Sequence, residues 1–102
     1  MFIIVWEYIV SEGKETEFEK IYGSNGEWVR LFKLARGYLG TELFRDLNHS
    51  RHYITIDRWD SLSAFASFKE EYQNEYEAID ARCEFLTEHE INIGGSDMLL
   101  ST

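Results

Sequence analysis

The sequence predicts one α+β domain built on an antiparallel sheet of four strands, with helices on one face of the sheet. Its 102 residues suffice for a single hydrophobic core and not for two. Segments with strand and helix periodicity follow one another in the order β-α-β-β-α-β. With right-handed crossovers, this order gives a ferredoxin-like sandwich.

The first strand is predicted over residues 2–10 and ends at the turn residues that follow it. It is apolar on both faces, with Phe2 and Ile4 on one side and Ile3 and Val5 on the other. A strand of this kind is normally covered on both sides.

Two helical segments are predicted next. Residues 14–22 place apolar side chains at helical spacing, and a second helix is expected to start at Ser24 and to carry apolar side chains at helical spacing from Trp28 to Ala35. Ser24 and Glu27 have the spacing of a capping box for that second helix, and Gly37 is expected to end it.

A β-hairpin is predicted in the middle of the chain, with strands over residues 38–47 and 51–60 and a turn at 48–50. A long helix follows, capped by Asp60 or Ser61. A continuous helix over 61–85 would measure about 37 Å, against roughly 20 Å for a strand, so we expect a break near Gln73 and Asn74.

The last strand is predicted over residues 87–93 and is expected to end at Gly94 and Gly95. Residues 1–95 are therefore expected to form the domain and residues 96–102 a C-terminal tail. The sheet face without helices also needs a cover, and 16% of the residues are aromatic. We therefore expect a homodimer in which a second copy covers that face.

Charge and cysteine content exclude several classes of protein. Ten basic and 19 acidic residues give a net charge of −9, which disfavours nucleic acids and anionic membranes as partners. The apolar run at residues 2–10 is too short to span a bilayer and lacks the basic region of a signal peptide. A single cysteine, Cys83, cannot form an internal disulfide, so we expect a cytoplasmic protein.

One junction in the sequence resembles a known family. The segment Arg58-Trp59-Asp60-Ser61-Leu62-Ser63-Ala64-Phe65 is similar to the junction between the third strand and the long helix in the antibiotic biosynthesis monooxygenase (ABM) family. The turn Gly13-Lys14-Glu15 and the segment Gly37-Tyr38-Leu39-Gly40 are also similar, and the resemblance covers roughly residues 2 to 93.

The resemblance implies a dimeric α+β barrel and an oxidation without flavin, metal or haem, so no cofactor is expected. A phenol or hydroquinone would lose a proton in an apolar pocket, and its anion would reduce dioxygen directly. The haem-degrading members of this superfamily carry an Asn, a Trp and a His at positions that hold Trp6, Phe68 and Ala78 here. These differences disfavour haem degradation.

Candidate catalytic residues are His52, Arg58 and Tyr72. His52 is a candidate base because the pKa of histidine lies near neutral pH, and Arg58 lies on the same strand face and is suited to an anionic substrate. Tyr72 and Tyr76 are candidate hydrogen-bond donors to a quinone oxygen. His49 and His52 point to opposite sides of a strand, which argues against a shared metal ion.

A small aromatic ligand is the expected partner of the aromatic side chains. The same helical spacing is also typical of an ordinary core. The expected substrate-binding residues are Trp6, Trp28, Phe32, Trp59, Phe65, Phe68 and Asn92.

Three polar residues interrupt apolar strands. Glu7, Thr55 and Asp57 either face a wet interior between the two sheets of a dimer or include carboxyl groups with a raised pKa. The pattern does not decide between these two interpretations.

The leading functional hypothesis is a cofactor-independent monooxygenase of the ABM type that oxidises a small aromatic or quinol substrate with dioxygen. The alternative is a non-catalytic ligand-binding or interaction module of the same fold. It is favoured by Phe68, which stands where many family members carry a histidine. An isomerase or lyase is a third hypothesis, and it would need Glu7 or Asp57 to act with His52 as an acid–base pair.

Overall fold

The computed structural model describes residues 1–97 and confirms the α+β ferredoxin-like fold. The strands are β1 (Phe2–Val10), β2 (Tyr38–Arg45), β3 (His52–Trp59) and β4 (Thr87–Asp97). The helices are α1 (Glu15–Tyr22), α2 (Glu27–Phe32), α3 (Leu62–Glu71) and α4 (Gln73–Cys83), and a 3₁₀ turn covers Glu84–Leu86. The sheet order is β2-β3-β1-β4, and every pair of neighbouring strands is antiparallel.

The two faces of the sheet differ in burial. On β3, alternate residues from Tyr53 to Trp59 are buried under the helices, and the residues between them are only half-buried. We call the second side the open face. Its side chains in β1, β3 and β4 are Ile3, Val5, Glu7, Ile9, His52, Ile54, Ile56, Arg58, His89 and Ile91.

Aromatic rings fill most of the core between the helices and the sheet. Trp59 is fully buried, and the ring centroids of Phe32, Tyr38 and Phe68 lie 5.7, 5.3 and 5.1 Å from its own. Near the other end of β3, the Phe18 ring packs on Tyr53 at 4.8 Å. Much of the aromatic surplus therefore serves packing.

The expected break in the long helix is confirmed. It falls at Tyr72, between α3 and α4, where the backbone leaves helical geometry (φ −111°, ψ 27°). At the start of α3, the Ser61 hydroxyl oxygen accepts a hydrogen bond from the Ala64 N–H at 3.0 Å. Ser61 is thus the N-cap, one of the two predicted candidates.

The predicted capping box at Ser24 and Glu27 is wrong. The N-cap of α2 is Gly26, and no side chain caps this helix end. A Cβ on Gly26 would lie 2.0 Å from the carbonyl oxygen of Ile21, so close contact between the two helical segments requires glycine there. α2 also ends at Phe32 rather than Ala35. The backbone hydrogen bonds that follow span three residues instead of four, as in a 3₁₀ turn; one of them runs from the Ala35 N–H to the Phe32 carbonyl.

Three strands differ in length from the prediction. β2 and β3 are shorter than expected, whereas β4 continues through Gly94 and Gly95 to Asp97. A Cβ on Gly95 would lie 2.4 Å from the Phe2 ring, so this glycine lets the ring pack against β4 while pairing continues. The predicted start of the tail thus falls within β4, and residues 98–102 lie outside the described part. No helix within residues 1–97 is both long and apolar enough to cross a membrane.

Candidate active site

A cleft opens between the helices and the buried face of the sheet. Its cavity has a volume of about 30 Å³ and opens to solvent, and eleven residues line it. They are six aromatic residues, two threonines and three carboxylic acids: Trp6, Tyr8, Tyr22, Trp28, Phe32, Tyr76, Thr41, Thr55, Asp57, Asp80 and Glu90. An aromatic cleft with a few convergent polar groups is typical of a small-molecule site.

Asp57 lies at the buried end of this cleft and is only 7% exposed. Its cross-strand neighbour on β2 is Thr41, whose hydroxyl donates a hydrogen bond to Asp57 Oδ1 at 2.7 Å. No side chain among residues 1–97 donates to Asp57 Oδ2. The carboxyl group therefore has one oxygen held in place and one available to a ligand.

A bulge in β2 extends this polar chain. Residues three apart on a regular strand point to opposite faces, but the register shifts between Tyr38 and Gly40, where Gly40 has φ 147°. The Tyr38 hydroxyl consequently lies 2.6 Å from Thr41 Oγ1. Because Thr41 donates to Asp57, the Tyr38 hydroxyl donates to Thr41, and the chain ends at Asp57.

Burial raises the pKa of Asp57 from its ordinary 3.8 to about 6, and the hydrogen bond from Thr41 lowers it in part. This answers the question left open by the sequence for Asp57, which is a carboxyl group with a raised pKa under the helices. The other polar strand residue on this side, Thr55, shares a 3.4 Å hydrogen bond with the Tyr8 hydroxyl.

Two further carboxyl groups, Asp80 on α4 and Glu90 on β4, lie at the exposed rim of the cleft. Partial burial and the nearby Asp80 carboxylate raise the pKa of Glu90. Burial raises the pKa of Tyr76 to about 12, and Asp80, Asp57 and Glu90 each add to that rise. The three acidic groups are therefore all close enough to the Tyr76 phenol to raise its pKa.

The structure brings Trp6, Trp28 and Phe32 to the cleft, out of seven residues expected to bind substrate. Trp59 and Phe68 are buried in the core with Phe65 packed against them, and none of the three lines the cleft. Asn92 is exposed, and its Oδ1 accepts a hydrogen bond from the Gly94 N–H at 2.7 Å. These four are held in packing or local backbone contacts.

None of the three residues expected to be catalytic lines the cleft. His52 and Arg58 lie on the open face, where His52 Nε2 is 2.8 Å from Glu7 Oε1 and Arg58 forms an ion pair with Glu42. Their alternation along β3 is as expected, but the helices cover the other side of that strand. The Tyr72 hydroxyl donates to the Leu34 carbonyl at 3.4 Å, outside the cleft.

Comparison with known proteins now identifies the family. The antibiotic biosynthesis monooxygenase family model matches residues 1–79, more than three quarters of the chain. This chain belongs to the ABM family. No curated protein sequence matches it.

Solved structures resemble this ABM-family chain in fold. SnoaB, a cofactor-independent oxygenase from Streptomyces nogalater, is 19% identical, with a TM-score of 0.68 over 98% of this chain and 97% of SnoaB. PA3566 from Pseudomonas aeruginosa is 14% identical, with a TM-score of 0.70 over 97% and 94% of the two chains. A MhuD variant with two manganese protoporphyrin IX molecules per active site is 18% identical, with a TM-score of 0.70 over 100% and 98%.

The three positions compared with haem-degrading proteins lie in different places in this ABM-family protein. Trp6 lines the cleft, Phe68 is buried in the core and Ala78 is exposed on α4. None of the chain's histidines is among the residues that line the cleft. The sequence-based expectation that the protein does not degrade haem remains a prediction, and the positions of these residues support it.

Sequence reasoning missed most of the polar lining of this ABM-family site. Thr41, Asp80 and Glu90 carry no signal in a single sequence, because each looks like an ordinary polar residue on a strand or helix surface. Asp57 did carry one, since it shares a strand face with Tyr53 and Trp59. A carboxyl group in a row of aromatic residues is costly to bury, which makes it a candidate for function.

Proposed function

We propose that this protein is a cofactor-independent monooxygenase of the ABM type that oxidises a small aromatic or quinol substrate with dioxygen. The observation that carries the proposal is Asp57, a carboxyl group at the buried end of an aromatic cleft with one oxygen free for a ligand. An aromatic pocket that ends in a basic group suits proton removal from a phenol. Family membership supports the same class of reaction.

In the first step, Asp57 Oδ2 accepts the phenolic proton of the substrate. With a pKa of about 6, the carboxyl group is ionised at neutral pH and is a stronger base than an ordinary aspartate. The hydrogen bond from Thr41 to Oδ1 keeps Oδ2 directed at the substrate. The aromatic walls, Trp6, Trp28 and Phe32, exclude water around the anion that forms.

In the second step, the substrate anion passes one electron to dioxygen, and the resulting radical and superoxide join through a new C–O bond at a ring carbon that bears hydrogen. Asp57 returns its proton to the peroxide. Loss of the ring hydrogen as a proton breaks the O–O bond and releases hydroxide, and the two combine as water. The net reaction converts a phenol and one dioxygen into a quinone and one water.

Oxygen uptake by the purified, metal-free protein tests this proposal across a panel of phenols and hydroquinones. We expect uptake above the uncatalysed rate for at least one compound and a loss of at least about 100-fold in kcat for Asp57→Asn. Asp60→Asn is the matched control, because Asp60 is exposed and does not line the cleft. The absence of uptake with every compound would refute the proposal.

His52→Gln belongs in the same experiment, because His52 is the base expected from the sequence. It lies on the open face beside Glu7, so we expect its removal to leave oxygen uptake within about twofold of wild type. Loss of uptake in His52→Gln with normal uptake in Asp57→Asn would restore the sequence-based assignment and contradict the role proposed for Asp57.

A non-catalytic binding module is the second candidate. It is favoured by the absence of any Lys, Arg or His among the described residues that line the cleft, because an enzyme that forms an anion usually places a positive group near it. Ligand binding without oxygen uptake is the result that would support the module.

We also propose that two copies of the chain associate through the open face. Phe44 and Ile91 on this side are 47% and 42% exposed in the single chain, and the charged residues there, Glu7 with His52 and Arg58 with Glu42, are already paired. An apolar face whose charges are internally paired suits burial by a second copy. The single, buried Cys83 fits the cytoplasmic location that we propose.

Light scattering tests the dimer. The expected mass is twice the 12.1 kDa of the chain, and Ile56→Asp on the open face should give the single-chain mass while the circular dichroism spectrum stays unchanged. Leu47→Asp is the control, because Leu47 is fully exposed in the hairpin turn. A wild-type protein that stays monomeric at micromolar concentration would contradict the dimer.

A further inference from the structure

The cleft has an unusual charge pattern for a site that handles a phenolate. Three of its eleven lining residues are carboxylic acids, and none is basic. Within residues 1–97, Asp57, Asp80 and Glu90 take part in no ion pair. The Lys69 ammonium group lies 3.7 Å from the centre of the Tyr76 ring, but Lys69 does not line the cleft.

The three acidic groups of the cleft differ in burial. Asp57 is nine-tenths buried at the inner end, whereas Asp80 and Glu90 are exposed at the rim. Trp6 and Trp28 also line the cleft, and the faces of indole rings attract cations. Partial burial and, to a smaller extent, the nearby Asp80 carboxylate raise the pKa of Glu90, and a positive charge at the rim would relieve the repulsion between the two carboxylates.

We propose that this cleft selects aromatic ligands that carry a positively charged amino group, with the phenol end at Asp57 and the ammonium group at Asp80 and Glu90. The assignment rests on the proposed function only for the orientation of the ring. A cationic substituent also offsets the charge of the phenolate, which the two rim carboxylates would otherwise disfavour. The net charge of −9 adds a long-range preference for cations over anions.

Three probes of similar size separate charge from shape. Tyramine, tyrosol and 4-hydroxyphenylacetate share a 4-hydroxyphenyl ring and carry a charge of about +1, 0 and −1 at neutral pH. We expect tyramine to bind at least about tenfold more tightly than tyrosol by isothermal titration calorimetry at low salt, a difference of about 1.4 kcal/mol. We expect 4-hydroxyphenylacetate to bind more weakly than tyrosol, and salt to reduce the tyramine preference.

A rim variant tests the residues assigned to the ammonium group. In the double variant Asp80→Asn with Glu90→Gln, the ratio of tyrosol to tyramine dissociation constants should fall by at least about fivefold. Both residues are exposed, so the variant should keep its fold, which circular dichroism checks. Glu12→Gln removes one charge from an exposed turn outside the cleft and should leave the ratio unchanged.

NMR signals of the tryptophan indole N–H groups locate the binding. Trp28 Nε1 is buried and has no hydrogen-bond partner within residues 1–97, so its signal should move when tyramine enters the cleft. Tyramine binding no tighter than tyrosol, no tyramine binding at millimolar concentration, or an unchanged ratio in the double variant would each overturn the proposal.

These measurements are made without oxygen, so they are independent of turnover. A cation preference in a protein that consumes no oxygen would refute the monooxygenase and leave this inference standing. Oxygen uptake with neutral phenols but no preference for tyramine would do the reverse.

Discussion

Asp57 should make the folded protein less stable as the pH rises, and Asp57→Asn should remove that loss. The difference between a pKa of 3.8 in the unfolded chain and about 6 in the folded protein corresponds to about 3 kcal/mol, at 1.36 kcal/mol per pKa unit. Because the folded-state pKa is the higher one, the contribution of protonated Asp57 is complete below pH 3.8. It is lost as the pH rises past about 6.

The substitution keeps the shape of the side chain and its contact with Thr41, since the amide oxygen of asparagine still accepts the 2.7 Å hydrogen bond. It removes only the cost of burying a charge. Linkage between the two pKa values places about 1.4 kcal/mol of the effect between pH 5 and pH 8. Asp57→Asn should therefore gain about 1.4 kcal/mol more stability over wild type at pH 8 than at pH 5.

Urea denaturation followed by tryptophan fluorescence at both pH values measures this difference. Taking the difference between wild type and variant cancels other titrating groups such as Glu90. Asp60→Asn serves as the control, because it makes the same substitution at an exposed position outside the cleft. A stability gain that is equal at the two pH values, or a variant less stable than wild type at pH 8, would refute the buried-carboxylate reasoning.

Two further predictions concern packing. Trp59 is fully buried and does not line the cleft. Trp59→Ala should therefore lower the free energy of unfolding by about 3–5 kcal/mol. If Trp59 instead contacted the ligand directly, the folded variant would bind the ligand more weakly. Gly95→Ala would place a Cβ 2.4 Å from the Phe2 ring, and the overpacking should cost about 1–3 kcal/mol in urea denaturation; an unchanged stability would contradict the described pairing of β4 with β1.

The sequence predicted the elements well where the physical cause is local. A continuous apolar run marks β1, as is typical of a strand that is covered on both sides. An alternating pattern marks β3, and the helical period marks the two halves of the long helix, because burial on one side requires those spacings. Ser61 was correctly predicted as a candidate N-cap because capping is also local: its hydroxyl oxygen accepts a hydrogen bond from the N–H of Ala64, in the first turn of the same helix. The capping box at Ser24 failed because contact between α1 and α2 forces glycine to that helix end.

The candidate site was predicted only in part. Trp6, Trp28 and Phe32 line the cleft as expected, because aromatic residues at those spacings point toward the helix–sheet interior. His52 and Arg58 were expected on the functional side of β3 and lie on the open face instead. Both sides of β3 alternate regularly, so the pattern alone groups His52 with Arg58 and Tyr53 with Asp57 without saying which group meets the helices.

By itself, the sequence determined the order of the elements, the fold class, the family and the acidic character of the protein, since these depend on composition and on contacts between residues near in the chain. Tertiary structure alone decided which face of the sheet receives the helices. Only that choice buries Asp57 among aromatic rings, raises its pKa and brings Asp80 from α4 and Glu90 from β4 to the rim of the same cleft. The burial of Asp57 and the contact between segments far apart in the chain arise only when the chain packs, so neither can be predicted from a single stretch of sequence.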